Sequence, residues 1–357
     1  MACTDPCGLA WWGMQTRGII QALAAAAFFG ISTPIAKALL GSIQTNQLAG
    51  LLYLGAAICL APIVWRRARA GETVMPRDRK NRWRLAGAVL FGGMVGPVLV
   101  LLGLKVALAA SVAMWLNLEA VATAVIAFFL FREHIGRWTW IGNIGVVLAG
   151  VMLSYDQGWG GWLGLALIAG AAIAWGIDNN LTAVIDGISP EDSTFWKGLI
   201  AGSVNLAIGL VIAAPQVSVA WLWTLLLGGL SYGASIVLYI HAAQNLGATR
   251  SQMIFAAAPF FGVALAVGGM GESLTLLQLA ATGVLAVSLI STFRDAHSHE
   301  HAHDALTHEH EHTHDDGHHS HSHPDLPAST RHSHVHSHEP LVHSHPHWPD
   351  LHHRHSH

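Results

Sequence analysis

Charge is the first shortage in this sequence. Asp, Glu, Lys and Arg make up 11 % of the 357 residues, and apolar side chains make up 52 %. An ordinary soluble domain carries about 25 % charged residues, so a single water-facing globule is excluded. Cysteine is almost missing. Cys3 and Cys7 lie near the start and Cys59 in an apolar run, which excludes a disulfide framework and leaves Cys3 with Cys7 as a minor metal-site alternative. No phosphate loop, nucleophile motif or HExxH pair occurs, so no enzyme is expected. No basic segment with a small-residue cleavage site precedes the first apolar run, which therefore reads as a retained span. Met14 offers an alternative start just ahead of it.

The charge that exists is segregated. Residues 1–293 hold 15 Lys or Arg and 11 Asp or Glu, whereas 294–357 hold 3 Arg and 10 acids. Of the 25 histidines, 23 lie from His297 onward. Two regions follow, a membrane body and a polar tail.

A membrane span needs about 20 mostly apolar residues. By that rule ten spans are expected, near 18–40, 44–65, 84–105, 108–131, 138–155, 162–183, 195–214, 220–245, 250–270 and 275–293. They are rich in Gly and Ala, which let helices approach closely in lipid. Trp65, Trp83, Trp138, Trp159, Trp162, Trp221 and Trp223 stand near span ends, as interface anchors do. The loop from Arg66 to Arg84 holds eight basic residues against Glu72 and Asp78. Arg17, Arg132, Arg137, Arg250 and Arg294 fall on the same side, and Lys105 on the other. That asymmetry expects both termini in the cytoplasm and a multi-pass protein of the cell's inner (plasma) membrane.

The chain also repeats itself. Ala107 to Val151 holds a long apolar span, a charged corner at Arg132-Glu133-His134, and a second span with Gly142, Gly145 and Gly150. Leu246 to Ile290 follows the same plan. Sliding the first stretch until Glu133 meets Glu272 also puts Met114 on Met253 and Ala109 on Ala248, and one deletion brings Gly145 onto Gly283. Each half opens with a related motif, Phe29-Gly30-Ile31-Ser32 with Lys37 and Trp175-Gly176-Ile177-Asp178. On Glu133, Glu272, Pro259, the following glycines and these openings, the region from Gly18 to Ile290 resembles the EamA domain of the drug/metabolite transporter superfamily. Ala120, preceded by Glu119, stands where the second copy has Pro259. The resemblance implies a carrier of polar or amphipathic metabolites. The expected fold is an all-α integral membrane protein of ten transmembrane helices as two inverted five-helix repeats, plus a disordered tail. Its parts are 1–17, a first repeat over 18–155, a second over 162–293, and the tail over 294–357. Inverted repeats place a site between the halves near the midplane.

Ionisable groups within spans are costly and mark candidate sites. Glu119 lies near the middle of its span, with Trp115 near the same helix face. It reads either as a coupling or cation-binding carboxylate or as a carboxylate satisfied inside the bundle. Ser32 and Thr33, before Pro34, and Asp178 and Asn179, before Asn180, occupy matching places after Gly30 and Gly176. Pro34 removes a helix hydrogen bond, so paired breaks near one cavity are expected, against the plainer reading of a kink. Lys37 can snorkel to the interface. Tyr239, His241 and Gln244 are candidates for the cytoplasmic mouth, although a lone His is more often satisfied locally. Glu133 and Glu272 read as structural, each favouring a helix N-terminus.

The tail alternates His with Ser, Glu, Asp and others and is too polar to fold alone. In an extended chain, alternate residues share a face, so His-x-His offers two imidazoles to one ion. Candidate ligands are His297, His299, His301, His303, His308, His310, His312, His314, His318, His319, His321 and His323. Imidazole with nearby carboxylate suits Zn, Ni, Co and Cu. The tail would buffer, deliver or sense such ions, or gain charge on mild acidification. No cofactor is required, but divalent transition-metal ions are expected on the tail. Expected partners are the lipid bilayer and a small-molecule substrate or metal ion, with no nucleic acid; a homodimer stays open. The function expected is export of a small solute by alternating access. The alternatives are a divalent Ni, Co or Zn exporter, and a membrane-anchored metal-binding or sensing protein that moves nothing.

Overall fold

Apolar runs this long must satisfy their backbone polar groups internally, so they fold as helices. The computed structural model describes residues 6–131, 136–155, 157–185, 187–246, 251, 254–292, 297–303, 306–312, 332–338 and 341–347. The helices are α1 (Pro6–Gly30), α2 (Ser32–Leu39), α3 (Thr45–Arg69), α4 (Arg79–Ala88), α5 (Gly96–Val106), α6 (Ala109–Trp115), α7 (Leu118–Phe131), α8 (Arg137–Tyr155), α9 (Gly158–Ala183), α10 (Pro190–Ile212), α11 (Val219–Gly228), α12 (Ser235–Leu246), α13 (Ala258–Met270) and α14 (Leu276–Thr292). Two π-helical stretches, Val89–Val95 and Gly229–Ala234, join α4 to α5 and α11 to α12. The first helix already begins at Pro6, inside the segment expected to precede the spans.

Among the described residues, 8 helices are long and apolar enough to cross a membrane. The ninth and tenth expected spans appear as shorter apolar helices, α13 of 13 residues and α14 of 17. The ninth is short because a turn at Ala256 and Ala257 precedes α13, whose second residue, Pro259, has no N–H and fits a first helical turn.

That turn has a counterpart. α6 and α7 are parted by Leu116 and Asn117, where the Asn117 amide donates to Met114 O (3.2 Å) and the Ala120 amide to Asn117 O (3.1 Å). In the second copy Ala257 donates to Ile254 O and Phe260 to Ala257 O, both at 3.0 Å. The slide that superposes these turns also carries Val89–Val95 onto 229–235, over the second π stretch. Neither turn was expected: WLNLEA contains neither Pro nor Gly, and Pro259 was taken as part of one continuous span over 250–270.

Packing uses small residues, as expected where lipid supplies no hydrophobic drive. α3 lies against α10 so closely that a Cβ on Gly50 would stand 2.5 Å from the Leu206 nitrogen. Leu48, Leu52, Leu104, Trp115, Ile168 and Leu285 are the large side chains at the centre. At one end, the basic loop is tied down. Arg67 pairs with Glu72 at 2.8 Å and with Asp192 at 3.6 Å, and Trp196 donates to Val74 O at 2.7 Å. Asp192 also closes a capping box with Ser189 at the start of α10.

Residues 1–295 and 296–357 are separate units. Within the second unit the described backbone comprises four strands: β1 (His297–His303), β2 (Leu306–His312), β3 (His332–His338) and β4 (Leu341–His347). β1 pairs antiparallel with β4 and β2 with β3. Their His-x-His alternation has the two-residue period of a strand.

Candidate functional site

A π turn holds an extra residue, so some of its carbonyls leave the regular ladder and need other donors. In Val89–Val95 those donors are side chains. Gly92 O accepts from Tyr53 Oη (2.7 Å) and from Trp175 Nε1 (2.9 Å), and Gly93 O accepts from Asn205 Nδ2 (3.1 Å). Gly92 also admits Asp178, since a Cβ there would lie 1.9 Å from Asp178 Oδ2. Asp178 is buried and accepts from Lys197 Nζ at 2.7 and 2.6 Å and from Thr182 Oγ1 at 2.9 Å. Lys197 was not among the sequence candidates. The signal was a cation inside an apolar run, but starting that span at 195 made it look like an end residue. In fact α10 starts at Pro190, held by the Ser189 cap.

Glu119 sits in the first turn of α7, just past the Leu116–Asn117 break. Asn179 Nδ2 donates to Glu119 Oε1 (2.8 Å) and to Thr123 Oγ1 (3.1 Å). Asn180 Nδ2 donates to Thr123 O and Gly176 O. Of the candidates, then, Glu119 and Asn179 meet directly, bridging the helices α7 and α9, while the neighbouring Asp178 turns to Lys197 on α10. The helix α9 runs unbroken from Gly158 to Ala183, so the break expected at Asp178–Asn180 does not exist: Asn180 returns its amide to Gly176 O within the helix. The break expected in the first span is present, with α1 ending at Gly30 and α2 starting at Ser32. Ser32 and Thr33 are buried there, and Ser32 Oγ donates to Phe29 O at 2.6 Å.

Trp115 is 1 % exposed and donates Nε1 to Gly150 O (3.1 Å). It packs in the core rather than on Glu119. Tyr239 stacks on Phe255 at 5.2 Å, and Phe255 on Phe29 at 5.5 Å. Tyr232 meets Phe29 at 5.8 Å and Tyr53 at 5.5 Å. This aromatic row joins α1, α3 and the α11–α12 rod to the segment before α13, and through Tyr53 it reaches Gly92. Only Tyr239 of the row was anticipated. His241 is exposed on α12.

A second polar centre lies elsewhere in the bundle. Lys37 Nζ donates to Glu272 Oε1 (3.0 Å) and Ala107 O (2.9 Å). Glu272 accepts from the Ala109 and Ala110 amides at 2.9 Å each. It therefore caps α6, a helix of the other copy, rather than the helix that follows it. Burial pushes the Glu272 carboxyl up, but the two amides and the Lys37 ammonium outweigh it and hold it below the usual carboxylate range. Gln157 completes the same helix start, accepting from the Leu108 amide and donating to Ser111 Oγ. Lys37 is thus an ion-pair partner instead of a snorkelling side chain.

Glu133 and His134 lie outside the described residues, as do His314, His318, His319, His321 and His323. His297, His299, His301 and His303 are positions of β1, and His308, His310 and His312 of β2. Among the described side chains, no three His, Cys, Asp or Glu gather as a metal cage.

Comparison with known proteins gives a consistent result. The model of the EamA-like transporter family matches twice, over residues 16–155 and 162–294. A protein of Methanothermobacter thermautotrophicus, called an uncharacterized transporter, is 24 % identical over 295 residues, covering 76 % of this chain and 85 % of that one. A solved crystal structure superposes with a TM-score of 0.57 at 17 % identity, over 77 % of this chain and 94 % of its own; it speaks for the fold alone.

Proposed function

Because the chain belongs to the EamA-like transporter family, we propose that it is a membrane carrier that exports a small polar solute by alternating access, with Glu119 as its coupling carboxylate. The chain is a multi-pass membrane protein; ten spans in two inverted repeats, with both termini cytoplasmic, are the arrangement this reading uses. The family and the named relative are transporters, which favours a carrier over an enzyme.

One observation carries the reading. Glu119 stands half-buried within an otherwise apolar helix, in the first turn of a half-helix, and its bond runs to Asn179 in the other copy. Among the described residues it makes no ion pair. A mid-membrane carboxylate without a cation is costly unless it takes up a proton or cation during work, and broken helices are where carriers build such sites. The nearby Asp178 is already neutralised by Lys197, so Glu119 leaves the cluster with a net negative charge. That charge favours a cationic substrate group or a proton.

The test is flux into proteoliposomes with a panel of amino acids, purines and Ni²⁺, Co²⁺ and Zn²⁺. The reading expects an organic solute to move, Glu119→Gln to stop it, and a 1–293 truncation to keep it. Movement of metal alone, lost with the tail, would establish the metal-exporter alternative instead. No flux of any probe would leave a membrane-anchored metal binder.

A further inference from the structure

Basic residues crowd the connection from α3 to α4, and the fold decides which of them are already occupied. Arg67 pairs with Glu72 and Asp192. Arg84 donates to Asn81 Oδ1 and to Val184 O. Both acids of the stretch are taken as well. Glu72 holds Arg67, and Asp78 caps α4 by accepting from the Asn81 amide at 2.8 Å. Arg66, Arg69, Arg77, Arg79, Lys80 and Arg82 are exposed, and none of them has an acidic partner among the described residues.

The helix surfaces next to these cations change character in one direction. Residues three and four apart share a helix face. Along α3 the exposed line runs Ile58, Pro62, Trp65 and Arg69, and the Arg69 guanidinium lies over the Trp65 ring at 3.8 Å. Along α4 and into the π stretch the exposed line runs Arg79, Trp83, Ala86 and Leu90, with Arg82 beside it. Trp65 is 54 % exposed and Trp83 68 %. Each line thus passes from apolar side chains through an indole to a guanidinium, the order of acyl chain, interface and headgroup across one leaflet. The connection is held in place between them, since Trp196 donates to Val74 O and Arg67 reaches Asp192 at the start of α10.

We infer that this edge binds anionic phospholipid headgroups of the surrounding bilayer at two places, one at Arg66 and Arg69 beside Trp65, the other at Arg79 and Arg82 beside Trp83. A guanidinium meets a phosphate with two parallel N–H donors, and the indole suits a boundary with one apolar and one wet side. Each cation near the membrane surface strengthens the attraction to anionic lipid about fivefold. A zwitterionic lipid presents the same phosphate, but its ammonium group cancels the charge, so the edge selects net negative headgroups. The Arg67 ties contribute to this selection, because they engage the acids that would otherwise neutralise the free cations. The edge binds lipid in this way whether or not the body moves a solute, and whichever end faces the cytoplasm.

The experiment places the full chain in phosphatidylcholine bilayers doped with brominated phosphatidylglycerol, which quenches the tryptophans it touches. The part of the quenching lost in Trp65→Phe and in Trp83→Phe reports the two places separately. At low salt, phosphatidylglycerol should be enriched at each by about fivefold or more over brominated phosphatidylcholine. About 0.5 M NaCl should bring the enrichment close to one, because exposed charges are screened. Arg79→Gln with Arg82→Gln should abolish the enrichment at Trp83 and spare that at Trp65; Arg66→Gln with Arg69→Gln should do the reverse. Arg79→Lys with Arg82→Lys should keep most of it. Lys105→Gln, at the far end of the rod that α4 begins, should change neither place. Soluble glycerophosphoglycerol, the headgroup without its chains, should not displace the lipid. Equal quenching by the two lipids, enrichment that survives the Gln variants, an equal loss from Lys105→Gln, or displacement by the soluble headgroup would each overturn the lipid edge.

Discussion

Past the turn in its fourth span the first copy places Glu119; past the matching turn the second copy places Pro259. The backbones agree there, down to the two amide bonds across each turn. The side chains do not. One half-helix starts with a carboxylate that reaches the other copy, and the other starts with a residue whose only task is to begin a helix. The copies also differ deeper in. Asp178 and Lys197 form a buried ion pair in the second copy, while the matching place after Gly30 in the first copy holds the neutral Ser32. The third and eighth spans share a π stretch, yet only the first copy's carbonyl at Gly92 collects both Tyr53 and Trp175. A shared backbone thus fixes where the helices open, and local substitution decides which opening carries charge.

The strongest test of that asymmetry is Lys197→Ala. It leaves Asp178 charged and buried, which should cost about 3–5 kcal/mol, read as a fall in thermal unfolding temperature in detergent. The paired change Asp178→Asn with Lys197→Gln should recover most of the loss, whereas Ser32→Ala in the first copy should cost only about 1 kcal/mol. Next, Glu119→Gln should reduce transport about a hundredfold, some 2.7 kcal/mol, while Pro259→Ala keeps most of the activity; equal effects would mean that the two turns work alike. A smaller contrast separates the glycines that the repeat aligns. A Cβ on Gly145 would stand 2.0 Å from Ser288 Oγ and 3.0 Å from its Cβ, whereas one on Gly283 meets nothing within 4 Å. Gly145→Ala should therefore cost about 1–2 kcal/mol, and Gly283→Ala should stay within about 0.5 kcal/mol.

The smallest expected effect concerns pH. Glu272 is held below the usual carboxylate range in the folded protein, so its contribution is complete above the unfolded value of about 4.3 and is lost as pH falls through the lower folded value. Going from pH 7 to pH 5 should leave stability from the Lys37–Glu272 tie unchanged. Loss of that contribution between those values, measured as wild type against Glu272→Gln, would contradict the capping geometry.

Most helices were legible because lipid leaves an apolar run no other choice. Glu119, Asp178 and Asn179 were legible for a related reason, since polar residues stand out in such runs. What the sequence hid was partnership. Lys197 looked like a span end until the Ser189–Asp192 cap set the true start of α10. Glu272 had the right chemistry for a helix start, but only the fold says which helix. The aromatic row from Tyr239 to Tyr53 spans distant segments, and apolar spans hold too many aromatics for spacing to pick it out. The π stretches did leave a mark, the glycine pairs Gly92-Gly93 and Gly228-Gly229, which in lipid also serve ordinary close packing.

The π stretch between α4 and α5 can be described as a step held in reserve. It contains one residue that the α-helical winding has not taken up. Winding that residue in would turn everything beyond it by about 100°, the angle of one residue on an α-helix, with no hinge and no change of span. Gly92 O would rejoin the ladder, and Tyr53 and Trp175 would lose their shared acceptor together. Two side chains, from α3 and α9, share that one carbonyl, so any such winding would have to release both.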